Sequence, residues 1–112
     1  QVLMNLLSNA VQSISGNGQI WITAAFLKAS ANTKASVQIS IQDNGAGMGS
    51  DVIDKIFEPF YTTKEVGQGT GLGLSISYGI IQNHGGDIQV RSEKGIGTEF
   101  IVAIPITQYK KI

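Results

Sequence analysis

Val37, Ile39 and Ile41 alternate with Gln38, Ser40 and Gln42, and Ile88 and Val90 flank Gln89. Successive side chains on a strand point to opposite faces, so this period of two builds a sheet with one apolar and one wet face. A parallel sheet buried on both sides would read as unbroken apolar runs. The pattern therefore predicts a mixed, mostly antiparallel sheet covered by helices on one face only. Two more strands are expected over residues 19 to 28 and 97 to 105. Ile20, Ile22, Ala24 and Phe26 share one side of the first, and Phe100, Val102 and Ile104 one side of the second, so both are expected to cover the same core.

Three helical segments surround these strands. Val2, Leu3, Leu6, Leu7, Ala10, Val11 and Ile14 recur at spacings of three and four, an amphipathic helix stopped by Gly16-Asn17-Gly18. A short helix is expected after Ser50 as N-cap, carrying Val52, Ile53, Ile56 and Phe57 and ending at Glu58-Pro59. From there to Gly71 the chain is polar and glycine-rich with no period, which predicts an exposed, mobile loop. A second long helix, Leu72 to His84, would present Leu72, Ile76 and Ile80 as one stripe and stop at a left-handed cap in Gly85-Gly86. The expected fold class is α/β of the α+β kind: a two-layer sandwich, residues 1–112, in one domain.

Composition narrows the function. The 112 residues carry 8 basic and 8 acidic side chains for a net charge of +0, without the positive excess that a nucleic-acid-binding domain uses. There is no cysteine, hence no disulfide framework and no thiolate chemistry, and the expected location is cytoplasmic. No apolar run approaches the roughly 18 residues of a membrane span. Glycine is in excess, 14 residues where ordinary usage gives about 8.

Most of that excess lies where ligands could be held. In Gly67-Gln68-Gly69-Thr70-Gly71-Leu72-Gly73-Leu74, glycine occupies every second position just before a helix, so backbone amides and the helix N-terminus can approach an anion. A Rossmann reading fails, because Thr62-Thr63-Lys64-Glu65-Val66 is no buried strand, and a Walker loop fails for want of its lysine. Asp43-Asn44-Gly45-Ala46-Gly47-Met48 follows a strand directly. Its carboxylate is an acceptor suited to an exocyclic amine, although Asp-Asn-Gly is equally good turn chemistry. Asn5 and Asn9 lie four apart on the first helix, where amide oxygens could meet a hard cation or simply face solvent.

Taken together, these segments resemble the ATP-binding domain of sensor histidine kinases, a Bergerat fold shared with gyrase, heat-shock chaperone and mismatch-repair ATPases. Gln1-Val2-Leu3-Met4-Asn5-Leu6-Leu7-Ser8-Asn9-Ala10 resembles the N box and Asp43 to Met48 the first glycine box. Ile56-Phe57-Glu58-Pro59-Phe60-Tyr61-Thr62-Thr63-Lys64 resembles the F box, Gly67 to Gly73 the second glycine box, and Lys94-Gly95-Ile96-Gly97-Thr98-Glu99-Phe100 the last. Ser77 to Gly86 looks nearest to the nitrogen-sensor type. The resemblance implies ATP and Mg2+ as ligands. Asn9 would bind the metal, with Asn5 supporting metal and phosphates. Asp43 would bind the adenine amine, with Thr98 near it through water, while Gly45 and Gly47 line the base. Gly69, Thr70, Gly71, Leu72 and Gly73 would sit at the phosphates, Lys64 would reach the γ-phosphate, and Phe57 and Phe60 would anchor a lid.

The resemblance also separates transfer from hydrolysis. Hydrolytic relatives carry a glutamate base one turn before the metal-binding asparagine; here that place is Asn5, and an amide has no usable basicity near pH 7. The implied activity is a histidine protein kinase in two-component signal transduction, donating to a histidine on a separate dimerisation domain, with a response regulator downstream. The alternative is a non-catalytic nucleotide-sensing module of the same fold. His84 does not match the phosphoacceptor motif and is expected to be structural. The chain begins inside the N box, so it is expected to be an N-terminally truncated piece lacking the acceptor domain. Gln12 and Ser13 depart from the family, where a basic and an aromatic residue are common.

Overall fold

A computed structural model describes residues 1–58 and 73–106. The elements are α1 (Val2–Ser13), β1 (Ile20–Leu27), β2 (Ser36–Asp43), α2 (Ser50–Ile53), α3 (Gly73–Asn83), β3 (Asp87–Glu93) and β4 (Gly97–Pro105). The loop expected up to Gly71, with Phe60 and Lys64, lies outside the described residues.

The strands form one sheet in the order β1-β2-β4-β3, and every neighbouring pair is antiparallel. Ile22, Ile41, Phe100 and Val90 lie opposite one another across the four strands, as do Ala24, Ile39, Val102 and Ile88. Helices α1 and α3 pack against each other and over this face, α1 on β2 and α3 on β3. Leu6, Ala10, Ile41, Ile56, Ile81, Ile88, Phe100 and Val102 are the buried centre. The outer face is mostly polar as expected, although Trp21 and Leu27 of β1 lie exposed on it and Ile101 in central β4 is buried between Ser40 and Gln89.

The helices refine three expectations. In β1 only Ile20 joins the core, whereas Ile22 and Phe26 stay 58% and 60% exposed. Alternation places them on the right face, but the helices cover the β2, β4 and β3 side of it. Gly49, not Ser50, is the N-cap of α2, which has four residues and continues as tight turns in which Lys55 donates to Val52 and Glu58 to Lys55. Those turns still bury Ile56 and set Phe57 against Tyr78 and Phe100, at ring-centroid distances of 5.1 and 6.5 Å.

The third refinement is the phase of α3. Ser77 and Ile81 are its buried residues and Leu74 packs against the core, while Ile76 is 41% exposed. The expected stripe through Ile76 and Ile80 is one position out of phase with the buried side, which is centred on Ser77 and Ile81. The C-terminus forms as expected: Gly86 N–H donates to Ile81 and Gly85 N–H to Gln82, with Gly85 at φ 75°. This pair of bonds is a Schellman motif, in which glycine avoids the left-handed strain of a side chain.

Candidate functional site

The apolar rows of the inner sheet face give way at one end to a row of different chemistry. Ile20, Asp43, Thr98 and Ser92 lie opposite one another across β1, β2, β4 and β3. Asp43 and Thr98 are only 4% and 6% exposed. Burying a carboxylate is costly without hydrogen bonds. One Asp43 oxygen accepts from Gly45 N–H at 2.8 Å, which makes the expected turn and orients the carboxylate. Beside it, the Ser92 hydroxyl oxygen lies 2.8 Å from Thr98 Oγ1, 3.0 Å from the Gly97 carbonyl and 2.8 Å from Met48 N.

Two glycines let the loops close around this row. At Gly97, with φ 149°, a Cβ would run into the Asp43 carbonyl, so β4 can lie against β2 here only without a side chain. At Gly47, with φ 70°, a Cβ would strike the Glu93 carbonyl, so the loop after Asp43 packs directly on the turn between β3 and β4. Gly95 N–H donates to Ala46 across the same junction. Gly45 backs onto Ser13 at the end of α1, where Ala46 N–H donates to the Ser13 carbonyl.

The N box contributes through α1. Asn5 and Asn9 are half-buried beside the stripe of Leu6 and Ala10. Asn5 Nδ2 donates to the Gly73 carbonyl at 3.1 Å and to Ser77 Oγ at 3.0 Å, joining α1 to the first turn of α3. Ser77 is fully buried, and this bond is what makes its burial tolerable. Asn9 also has a polar partner. Sequence reading singled out neither Ser77 nor Ser92. Ser92 was detectable, because it continues the inward series Ile88, Val90 with a polar residue. Ser77 was not, since its donor is 72 positions away.

Other candidates fall elsewhere. His84 Nδ1 lies 2.8 Å from the Ile80 carbonyl, the structural capping position expected. A groove of about 400 Å³ opens at the same end of the sheet, lined by Trp21, Gln42, Arg91 and Glu99 of the outer face together with Asp43, Ser92, Gly97 and Thr98 of the site row. Lys64, Gly69, Thr70, Gly71 and Leu72 lie outside the described residues. Among the described residues no helix is long and apolar enough to cross a membrane.

Residues 1–108 match the sequence profile of the histidine kinase-, DNA gyrase B- and HSP90-like ATPases. The chain belongs to this family. It is 42% identical over 111 residues to the sensor histidine kinase ZraS of Escherichia coli, covering 99% of this chain and 22% of ZraS. It is 44% identical over 108 residues to sporulation kinase E of Bacillus subtilis, covering 96% of the chain and 14% of that kinase. The chain therefore spans less than a quarter of the length of either relative. The catalytic domain of histidine kinase ThkA superposes with a TM-score of 0.77 at 39% identity, covering 94% of this chain and 65% of that one. Full-length ShkA, solved in complex with AMPPNP, superposes at 0.78 and 33% identity, covering 93% of this chain and 20% of ShkA. The family fold, a helix layer on an open antiparallel sheet, is the one described above, and it is a nucleotide-binding ATPase fold.

Proposed function

We propose that this chain binds ATP with Mg2+ and supplies the γ-phosphoryl group to a histidine on a separate dimerisation domain of a two-component sensor kinase. The observation that carries the proposal is the buried Asp43–Thr98 pair at the end of an otherwise apolar sheet face, where the loop after Asp43 meets Ser13 at the end of α1. An acceptor there suits the amine of adenine, and the chain's glycines leave room for a flat base.

The donor set fits a magnesium–nucleotide complex. The described residues hold no cluster of three His, Asp, Glu or Cys, and a neutral amide such as Asn9 can ligate a hard cation whose remaining positions go to phosphate and water. When bound, the cation neutralises phosphate charge and aligns the chain for transfer. Asn5 supports this site by holding the Gly73 end of α3, the end nearest the second glycine box. Gly73 and its outlying partners Gly69, Thr70, Gly71 and Leu72, with Lys64, are the proposed phosphate contacts.

No glutamate stands at Asn5 to activate water, so the bound phosphoryl group should survive until a better nucleophile arrives. In the transfer, an imidazole nitrogen attacks the γ-phosphorus, the bond to the β-γ bridging oxygen breaks, and ADP leaves. Positioning supplies most of the catalysis. A response regulator is the proposed downstream acceptor, and a cytoplasmic location follows from that role. The test mixes the protein with a helical domain carrying the acceptor histidine and γ-labelled ATP, then measures acid-labile phosphohistidine. Absence of label at saturating ATP would refute the kinase reading.

A further inference from the structure

Ser92 has one hydroxyl hydrogen and three polar neighbours. Met48 N–H can only donate to it, and the Gly97 carbonyl can only accept from it. If Ser92 instead gave its hydrogen to Thr98, its oxygen would face the Gly97 carbonyl at 3.0 Å with no hydrogen between them. The one arrangement that satisfies all three contacts has Met48 donating to Ser92, Ser92 donating to Gly97, and Thr98 Oγ1 donating to Ser92 across 2.8 Å. The Thr98 hydrogen is then committed to β3, and only lone pairs remain for a ligand.

We propose that Ser92 is a positioning residue for base selectivity: by holding the Thr98 hydroxyl as an acceptor beside the Asp43 carboxylate, it makes this end of the pocket acceptor-only. The inference rests on the ATP reading above. A 6-aminopurine presents N–H groups to such a row, directly or through water. A 6-oxopurine presents a carbonyl oxygen at the same place, which neither Asp43 nor the locked Thr98 can satisfy, and an unsatisfied polar pair is penalised more heavily than a good bond is rewarded. A Thr98 hydroxyl released from Ser92 could turn and donate to that carbonyl.

The experiment is calorimetric titration of the protein with Mg-ATP and Mg-ITP, reading the ratio of the two dissociation constants. In Ser92→Ala the preference for ATP should shrink by about 3- to 10-fold, the value of one neutral hydrogen bond. Thr98→Ser keeps the hydroxyl and should keep the wild-type ratio. Because Ser92→Ala strips partners from Met48 and Gly97 and can unfold the site, Thr98→Val serves as the second variant. It leaves both Ser92 bonds in place, removes the lone pairs, and should also narrow the ratio. A general loosening of the fold would weaken both nucleotides alike and leave the ratio unchanged, which overturns the proposal. A wild-type protein that binds ATP and ITP equally overturns it too. Failure to bind ATP at all sinks the ATP reading itself, a separate outcome.

Discussion

The bridge between Asn5 and Ser77 lends itself to a double-mutant cycle. Ser77→Ala removes one acceptor of Asn5 Nδ2, but the amide keeps the Gly73 carbonyl at 3.1 Å, so the cost should be that of one neutral hydrogen bond, about 0.5 to 1.5 kcal/mol. Asn5→Ala is worse, because it deprives a fully buried hydroxyl and the Gly73 carbonyl together, at about 1 to 3 kcal/mol for a stranded group. In the double variant no hydroxyl is left to strand, so the combined loss should fall short of the sum by about 0.5 to 1.5 kcal/mol. Urea unfolding of the four proteins measures this directly. Melting offers a check, since 1 kcal/mol corresponds to about 4 °C for a chain of this size. Strictly additive losses, within about 0.3 kcal/mol, would mean that the bridge carries no energy and that the burial of Ser77 has another cause.

Three further outcomes are expected. Asp43→Ala should weaken ATP binding by about 10- to 150-fold, the worth of a charge-assisted hydrogen bond; an unchanged dissociation constant in calorimetry removes Asp43 from the pocket. Asn9→Ala should abolish the magnesium dependence of nucleotide affinity, measured by titration with and without chelator, and persistence of that dependence would move the cation to other residues. Gly97→Ala pushes a Cβ into the Asp43 carbonyl and adds a side chain at φ 149°, so it should cost more than about 1 kcal/mol and weaken ATP binding with it; a variant as stable as the parent in urea would show that β2 and β4 can part without penalty.

Much of the fold was readable along the chain because its signals are local. Alternation of Val37 to Gln42 fixes which residues of a strand share a face, and the four strands were found within a few residues of their ends. Gly85-Gly86 announces its own cap, since only the backbone there decides the hydrogen bonds. The N box and the glycine boxes stand out for the same reason: each is a short run of residue types.

What failed were inferences about which neighbour covers a residue. Ile22 and Phe26 sit on the predicted face, yet the helices pass over the opposite half of the sheet. Ser50 has good capping chemistry, but the chain turns one residue earlier, at Gly49. The expected stripe of α3 leaves out Ser77, whose partner Asn5 is remote in sequence.

Period and residue type along the chain were enough for the strands, their faces and the antiparallel sheet, because alternation is a local signal, and they named the asparagines and the aspartate as candidates. The tertiary structure alone settled the rotation of α3 about Ser77, the covered half of the sheet, and the row Asp43, Thr98, Ser92 with its direction of hydrogen bonding. Those depend on register between strands and on donors dozens of residues apart, and a one-dimensional pattern does not record which distant groups meet.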